Sequence, residues 1–158
     1  MIVKRQKRKS GFLGDDKGAT LVELTVVLPV VLSIGLGAIE FGNLYHKYHL
    51  MTNGVRDAAR FAAGLAGDVC NDAALKLKVV QIAQKSGSDN GVWSSGSTVT
   101  VACTAHANTN NIYRGASTIH TVTVTATVPY QSLGFLGFFG LTSPTLTSRH
   151  QERVIGVR

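Results

Sequence analysis

No charged residue stands between Glu23 and Glu40 in this 158-residue chain, which excludes an ordinary half-wetted surface helix for that segment. Catalytic signatures are missing as well. The chain has no GxSxG elbow, no HExxH pair and no glycine-rich phosphate loop, and the carboxylates that stand out, Glu23 and Glu40, flank apolar sequence. Cysteine is scarce: Cys70 and Cys103 are too few for a structural zinc site without histidine. His46, His49, His106, His120 and His150 show no ligand spacing near either cysteine. The basic cluster Lys4, Arg5, Lys7, Arg8 and Lys9 is not interleaved with aromatics, so no nucleic-acid partner is expected. Nothing in these absences calls for a cofactor, a metal or a catalytic residue.

What is present begins with length and apolar character. A helix over Leu24 to Ile39 covers roughly 24 Å, slightly short of a bilayer core of about 30 Å. Adding Ala19 to Val22 and Phe41 to Tyr45 gives a transmembrane helix over residues 19–45, which then has to accommodate both Glu23 and Glu40. A carboxylate inside a bilayer costs a few kcal/mol, so each is expected to have a partner or a task. Pro29 lies near the middle of the span, where a membrane helix tolerates it as a kink. The run is longer than the apolar core of a secretory signal, and its small-residue junction, Gly18-Ala19, comes before it instead of after, so the segment is expected to stay with the protein.

Charge sets the orientation. Of the formal net charge of +7, Met1 to Gly18 contributes +4, from six lysines and arginines against Asp15 and Asp16. Positive charge directly before an apolar span holds that end in the cytoplasm. Residues 1–18 therefore read as a basic cytoplasmic leader, and residues 46–158 as a domain on the far side of the membrane. In an oxidising compartment Cys70 and Cys103 are expected to form one disulfide, the alternative being two buried thiols.

The helix is expected to continue beyond the membrane as a stalk, because Leu44, Met51, Val55, Ala59, Ala62 and Ala63 recur near a 3.6-residue period. Asn53-Gly54 is a point where it is expected to bend, and Gly64 and Gly67 are candidate ends. Asn71 is placed to cap a second helix over Asp72 to Lys85, stopped by Ser86-Gly87. The period then changes to two. Val99, Val101 and Cys103 share one face of a strand; Val122, Val124, Ala126, Val128 and Tyr130 face inward on a stronger one. Thr145 to Val157 is a weaker third strand. The apolar, glycine-spaced segment Leu133 to Leu141 is expected to tuck into its own domain, with a partner or membrane contact through Phe135, Phe138 and Phe139 as the alternative. The fold class is α+β: a long N-terminal transmembrane helix continuing into a stalk, then a small domain of a helix packed on an antiparallel sheet.

Four groups of residues carry functional readings. Were the chain cut after Gly18, Ala19 would gain an α-ammonium four residues before the Glu23 carboxylate. Pairing the two, within one chain or between neighbours, would offset the penalty of burying both and fix the axial register of packed helices. The alternative is a carboxylate in the headgroup layer that needs no partner. Arg56, Asp57 and Arg60 are either surface residues, with Asp57 and Arg60 paired locally, or contacts to a neighbouring subunit. Histidines 46 and 49 fit a juxtamembrane polar face better than a metal site. A periplasmic enzyme would need Asp89, His106 and His120 to converge.

Taken together, several blocks resemble the TadE-like (TadE/TadG) pseudopilins of tight-adherence, or Flp-type, pilus machinery. They are the basic leader, Gly18-Ala19-Thr20-Leu21-Val22-Glu23, Val26-Val27-Leu28-Pro29, Ile39-Glu40-Phe41-Gly42 and Thr52 to Ala63, followed by the Val/Thr strand, Pro129-Tyr130 and the closing Arg/Glu strand. Leu24 departs from the pattern, in which an aromatic follows the glutamate. The resemblance implies a pilin-like domain in the periplasm, an inner-membrane anchor crossing once, and cleavage after Gly18 by a prepilin peptidase. It further implies that Glu23, with Glu40, serves assembly with other pilin or pseudopilin subunits on the pilus assembly platform, and that the subunit can enter the extracellular fibre. An unprocessed membrane-anchored binding domain for surface adhesion is the alternative.

Overall fold

The computed structural model describes residues 16–65, 69–109 and 117–155. The leader as far as residue 15, and Gly67 as a helix end, lie outside the described residues. Helix α1 runs from Asp16 to Gly64 without interruption. Compact packing divides the chain into two units, the first ending at Ile39 and the second beginning at Glu40.

In the first unit the apolar run finds nothing among the described residues to cover it. Eleven large apolar side chains between Leu21 and Ile39 are each 48–69% exposed. In water each would forfeit about 1.5–3 kcal/mol of burial, so this part of α1 is made for an apolar solvent. It is long and apolar enough to cross a membrane. Pro29 lies within the helix; lacking an N–H, it leaves the Thr25 carbonyl without its helical donor. The hydroxyls of Thr25 and Ser33 donate back to the Leu21 and Pro29 carbonyls at 2.7 and 2.8 Å, which keeps polar groups satisfied within the helix.

In the second unit α1 turns one face inward. Met51, Val55, Ala58, Ala59, Ala62 and Ala63 are buried, with Leu44 packed against them, as the 3.6-residue spacing requires. Helix α2 (Ala73–Lys85) begins one residue later than expected. Its cap is Asp72, whose carboxylate accepts from the N–H groups of Ala74 and Leu75 at 2.7 and 3.3 Å. An ionised cap bonds more strongly to free helix donors than the neutral Asn71 amide would. Gly87, at φ 81°, turns the chain out of α2 into a short 3-10 turn, Ser88–Asn90.

Gly54 lies within the unbroken helix α1. It is buried, and a side chain there would run into the Ala83 carbonyl oxygen and lie 3.0 Å from Cβ of Ser86. Its role is to let α2 cross α1 with backbones in contact, and Ser86 Oγ seals the crossing by donating to the Leu50 carbonyl at 2.9 Å. Gly54→Ala is therefore expected to lower unfolding free energy by about 1–3 kcal/mol through overpacking. Gly64→Ala, with open space around it, should change little. Urea titration followed by Trp93 fluorescence compares them, since the Trp93 indole donates to the Ser86 carbonyl at 2.9 Å beside the crossing.

Strands β1 (Thr98–Ala107), β2 (Thr118–Pro129) and β3 (Thr145–Arg153) form an antiparallel sheet in the order β1-β2-β3. Register pairs Val99 with Ala126, Val101 with Val124 and Cys103 with Val122, which brings the apolar positions of both strands to one face. On β2 that face is fully buried at Val122, Val124, Ala126 and Val128. On the threonine face of β2, Thr123 is buried and Thr121, Thr125 and Thr127 are half-buried. A four-residue helix, α3 (Phe135–Phe138), separates β2 from β3. Cys70 and Cys103 form a disulfide, tying the segment after α1 to β1. Beyond β3 the Ile155 N–H donates to the Ala63 carbonyl at 2.9 Å, satisfying one of the last free acceptors of α1. The molecule is thus α+β, with one apolar face of the sheet packed under helices.

Candidate functional site

The first candidate site is the start of α1. Gly18 is exposed with nothing near its α-carbon, and the Gly18–Ala19 bond lies in the first turn of the helix. Glu23 is exposed, and among the described residues no ion pair includes it. A carboxylate inside an apolar helix is costly in a bilayer unless it is paired. Gly35, Gly37 and Gly42 leave open surface along the same helix, the kind of relief that lets membrane helices approach closely.

The second acid behaves differently. Glu40 is 1% exposed and belongs to the second unit, where the hydroxyl of Tyr130 donates to Oε1 at 2.8 Å and the Leu133 N–H donates to the same oxygen at 3.2 Å. The Asn43 amide donates to the Tyr130 hydroxyl at 2.9 Å, and the Lys47 ammonium lies 5.5 Å from the Tyr130 ring centroid. Glu40, Asn43 and Lys47 follow at i, i+3 and i+7, so one face of α1 presents all three to the tyrosine that ends β2. Burial and then the hydrogen bond to Glu40 hold the Tyr130 hydroxyl above its ordinary pKa, so it stays a donor. Glu40 Oε2 is buried without a partner among the described residues.

Sequence alone does not mark Tyr130, Asn43 and the Leu133 amide as partners of Glu40. The signal available was the i, i+3, i+7 spacing of Glu40, Asn43 and Lys47. Hydropathy obscured it, because Phe41 and Leu44 extend the apolar run past Glu40.

The remaining candidates are dispersed. Arg56, Asp57 and Arg60 are exposed. Arg60 Nε lies 3.9 Å from Glu152 Oε1 on β3, and the same oxygen is 2.9 Å from His150 Nε2. At 70% exposure the Arg60 pair contributes little. His46 and His49 are exposed, the latter edge-on to Tyr45 at 4.5 Å. His106 pairs with Ile119 and His120 with Ala105, which sends the two imidazoles to opposite faces of the hairpin. Among the described residues no three of His, Cys, Asp and Glu gather where a metal could be held. The segment 133–141 does not tuck in as expected. Leu136 is buried, but Phe138 is 76% exposed and Leu133 and Leu141 each 54%. Phe139 stacks edge-on against Phe138 at 5.4 Å, while Phe135 is half-buried.

Residues 18–60 match the family described as TadE-like protein, the family whose motifs the chain resembles. The matched stretch takes in Gly18-Ala19, Glu23, Pro29, Glu40 and Asn43, and ends at Arg60. No curated protein and no solved structure matches the chain. The match covers 43 of the 158 residues, all of them within α1, the helix that is long and apolar enough to cross a membrane.

Proposed function

We propose that this chain is a non-enzymatic, minor pilin-like subunit (a pseudopilin) that acts in the inner membrane in assembly of a Tad/Flp-type pilus. The observation that carries the reading is Glu23: a carboxylate in no ion pair among the described residues, four residues after Ala19 of a Gly-Ala junction, in an apolar helix that none of the described residues covers. The basic leader stays in the cytoplasm and the domain enters the periplasm. The Cys70–Cys103 disulfide supports that side, since such bonds persist in oxidising compartments. A prepilin peptidase unwinds the first turn of α1 and cuts after Gly18. The new ammonium of Ala19 and the Glu23 carboxylate of a neighbouring copy or pilin then neutralise one another, setting how far one helix slides along the next. Glu40, already engaged by Tyr130 and Leu133, positions the domain and leaves assembly to Glu23.

Protein recovered from native cells should begin at Ala19, and replacing Gly18 with a bulky residue should leave an intact precursor. Glu23→Ala should insert normally but fail to enter pili or their initiating complex. Normal pilus formation by that variant, together with an intact leader in the native protein, would favour an unprocessed tethered binding domain instead.

A further inference from the structure

We propose that the segment Leu133–Leu141 is a second membrane contact, seated at the headgroup–acyl boundary of the bilayer that holds α1. The inference rests on the reading that residues up to Ile39 span that bilayer. The apolar run ends at Ile39, and the next residue, Glu40, accepts from the Leu133 N–H at 3.2 Å. That bond fixes the start of the segment beside the residue where the chain leaves the apolar run. Leu136, 6% exposed, roots the segment in the core, while Leu133, Phe138, Phe139 and Leu141 remain 40–76% exposed.

Charge and composition favour lipid over a protein partner. No Asp, Glu, Lys or Arg occurs from Ser117 through Ser148, so the segment and the strand ends on either side of it carry none of the charge that orients a protein partner. The first turns of α1 after Glu40 carry Tyr45, 63% exposed, Tyr48, 38% exposed, and Lys47, whose ammonium lies over the Tyr130 ring. Tyrosine and lysine are the residues that collect at the water–lipid interface, so α1 and the segment both present interfacial chemistry within two turns of Glu40. A short turn that offers phenylalanine and leucine and no charge is suited to the upper acyl region.

The test uses the full chain in phosphatidylcholine–phosphatidylglycerol vesicles, with Phe138→Trp and, separately, Leu141→Trp, each read as the difference from the native protein and its Trp93. Both sites are exposed, so both variants should fold. Seated in the boundary, the added indole should emit at shorter wavelength, lose about half its intensity to lipids brominated near the top of the acyl chain, and resist iodide. Quenching by iodide and not by bromolipid would overturn the proposal. So would shielding from both quenchers that grows with the protein-to-lipid ratio, which would signify a contact between copies. A Val31→Trp control separates the two readings. If deep bromolipids quench it while the segment stays in water, α1 spans the membrane and only this inference fails. If they do not, the spanning helix and the function built on it fail as well.

Discussion

Removing the Cys70–Cys103 disulfide is expected to lower the stability of the domain by about 4 kcal/mol, on the order of 15 °C in thermal midpoint. The bridge joins residues 33 apart, and the unfolded chain without it regains the loop entropy that the cross-link denies. Its position adds to the effect. Cys103 is on β1 opposite Val122, a fully buried residue of the central strand, and Cys70 belongs to the segment leading from α1 to α2. Cutting the bridge thus loosens the tie between the helices and an edge strand. Urea titration of the full-length protein in detergent, followed by Trp93 fluorescence with and without a thiol reductant, measures the change. Cys70→Ala/Cys103→Ala should reproduce the reduced protein. An unchanged midpoint would mean that the disulfide constrains little in the unfolded chain.

Much of this architecture is legible in the residues, for a physical reason. Periodicity reports which face is buried, and the buried faces of α1 beyond Glu40 and of β2 follow the 3.6- and two-residue patterns closely. Spacing alone assigns the inward positions Met51, Val55, Ala59, Ala62 and Ala63 on α1 and Val122, Val124, Ala126 and Val128 on β2, all of them buried. Contacts between elements leave weaker traces. Gly54 reads as a flexible point in isolation, and only the Ala83 carbonyl lying against it reveals a close crossing. Hydropathy joins Glu40 to the span because Phe41 and Leu44 follow it, whereas the partners that bury its carboxylate lie some 90 residues away at Tyr130 and Leu133. The apolar segment around Phe138 reads as turning inward, yet it buries only Leu136 and leaves Phe138 76% exposed.

Truncating Glu40 is expected to cost about 3 kcal/mol of domain stability, less than loss of the disulfide but concentrated at one point of the fold. Glu40→Ala deprives the Tyr130 hydroxyl and the Leu133 N–H of their shared carboxylate oxygen and leaves a cavity at a site 1% exposed. Tyr130→Phe should cost about 2 kcal/mol, since it removes the donor at 2.8 Å and the acceptor for Asn43 while leaving the Leu133 bond in place. Because the two deletions share one hydrogen bond, the double variant should lose less than the two single losses combined; additivity would show that the pair is not coupled. The pH dependence has a definite sign. Tyr130 ionises above its ordinary value near 10, because burial and then the bond to Glu40 disfavour the phenolate. Its contribution is therefore complete below about pH 10 and is lost as the pH rises through the raised folded value. Native protein should lose stability on that alkaline limb and Tyr130→Phe should lack this component, as unfolding midpoints measured on either side of pH 10 would reveal. Glu40→Ala should also speed hydrogen exchange at the Leu133 amide, while the exchange of β2 amides at Val122 and Val124, on the far part of the strand, stays slow.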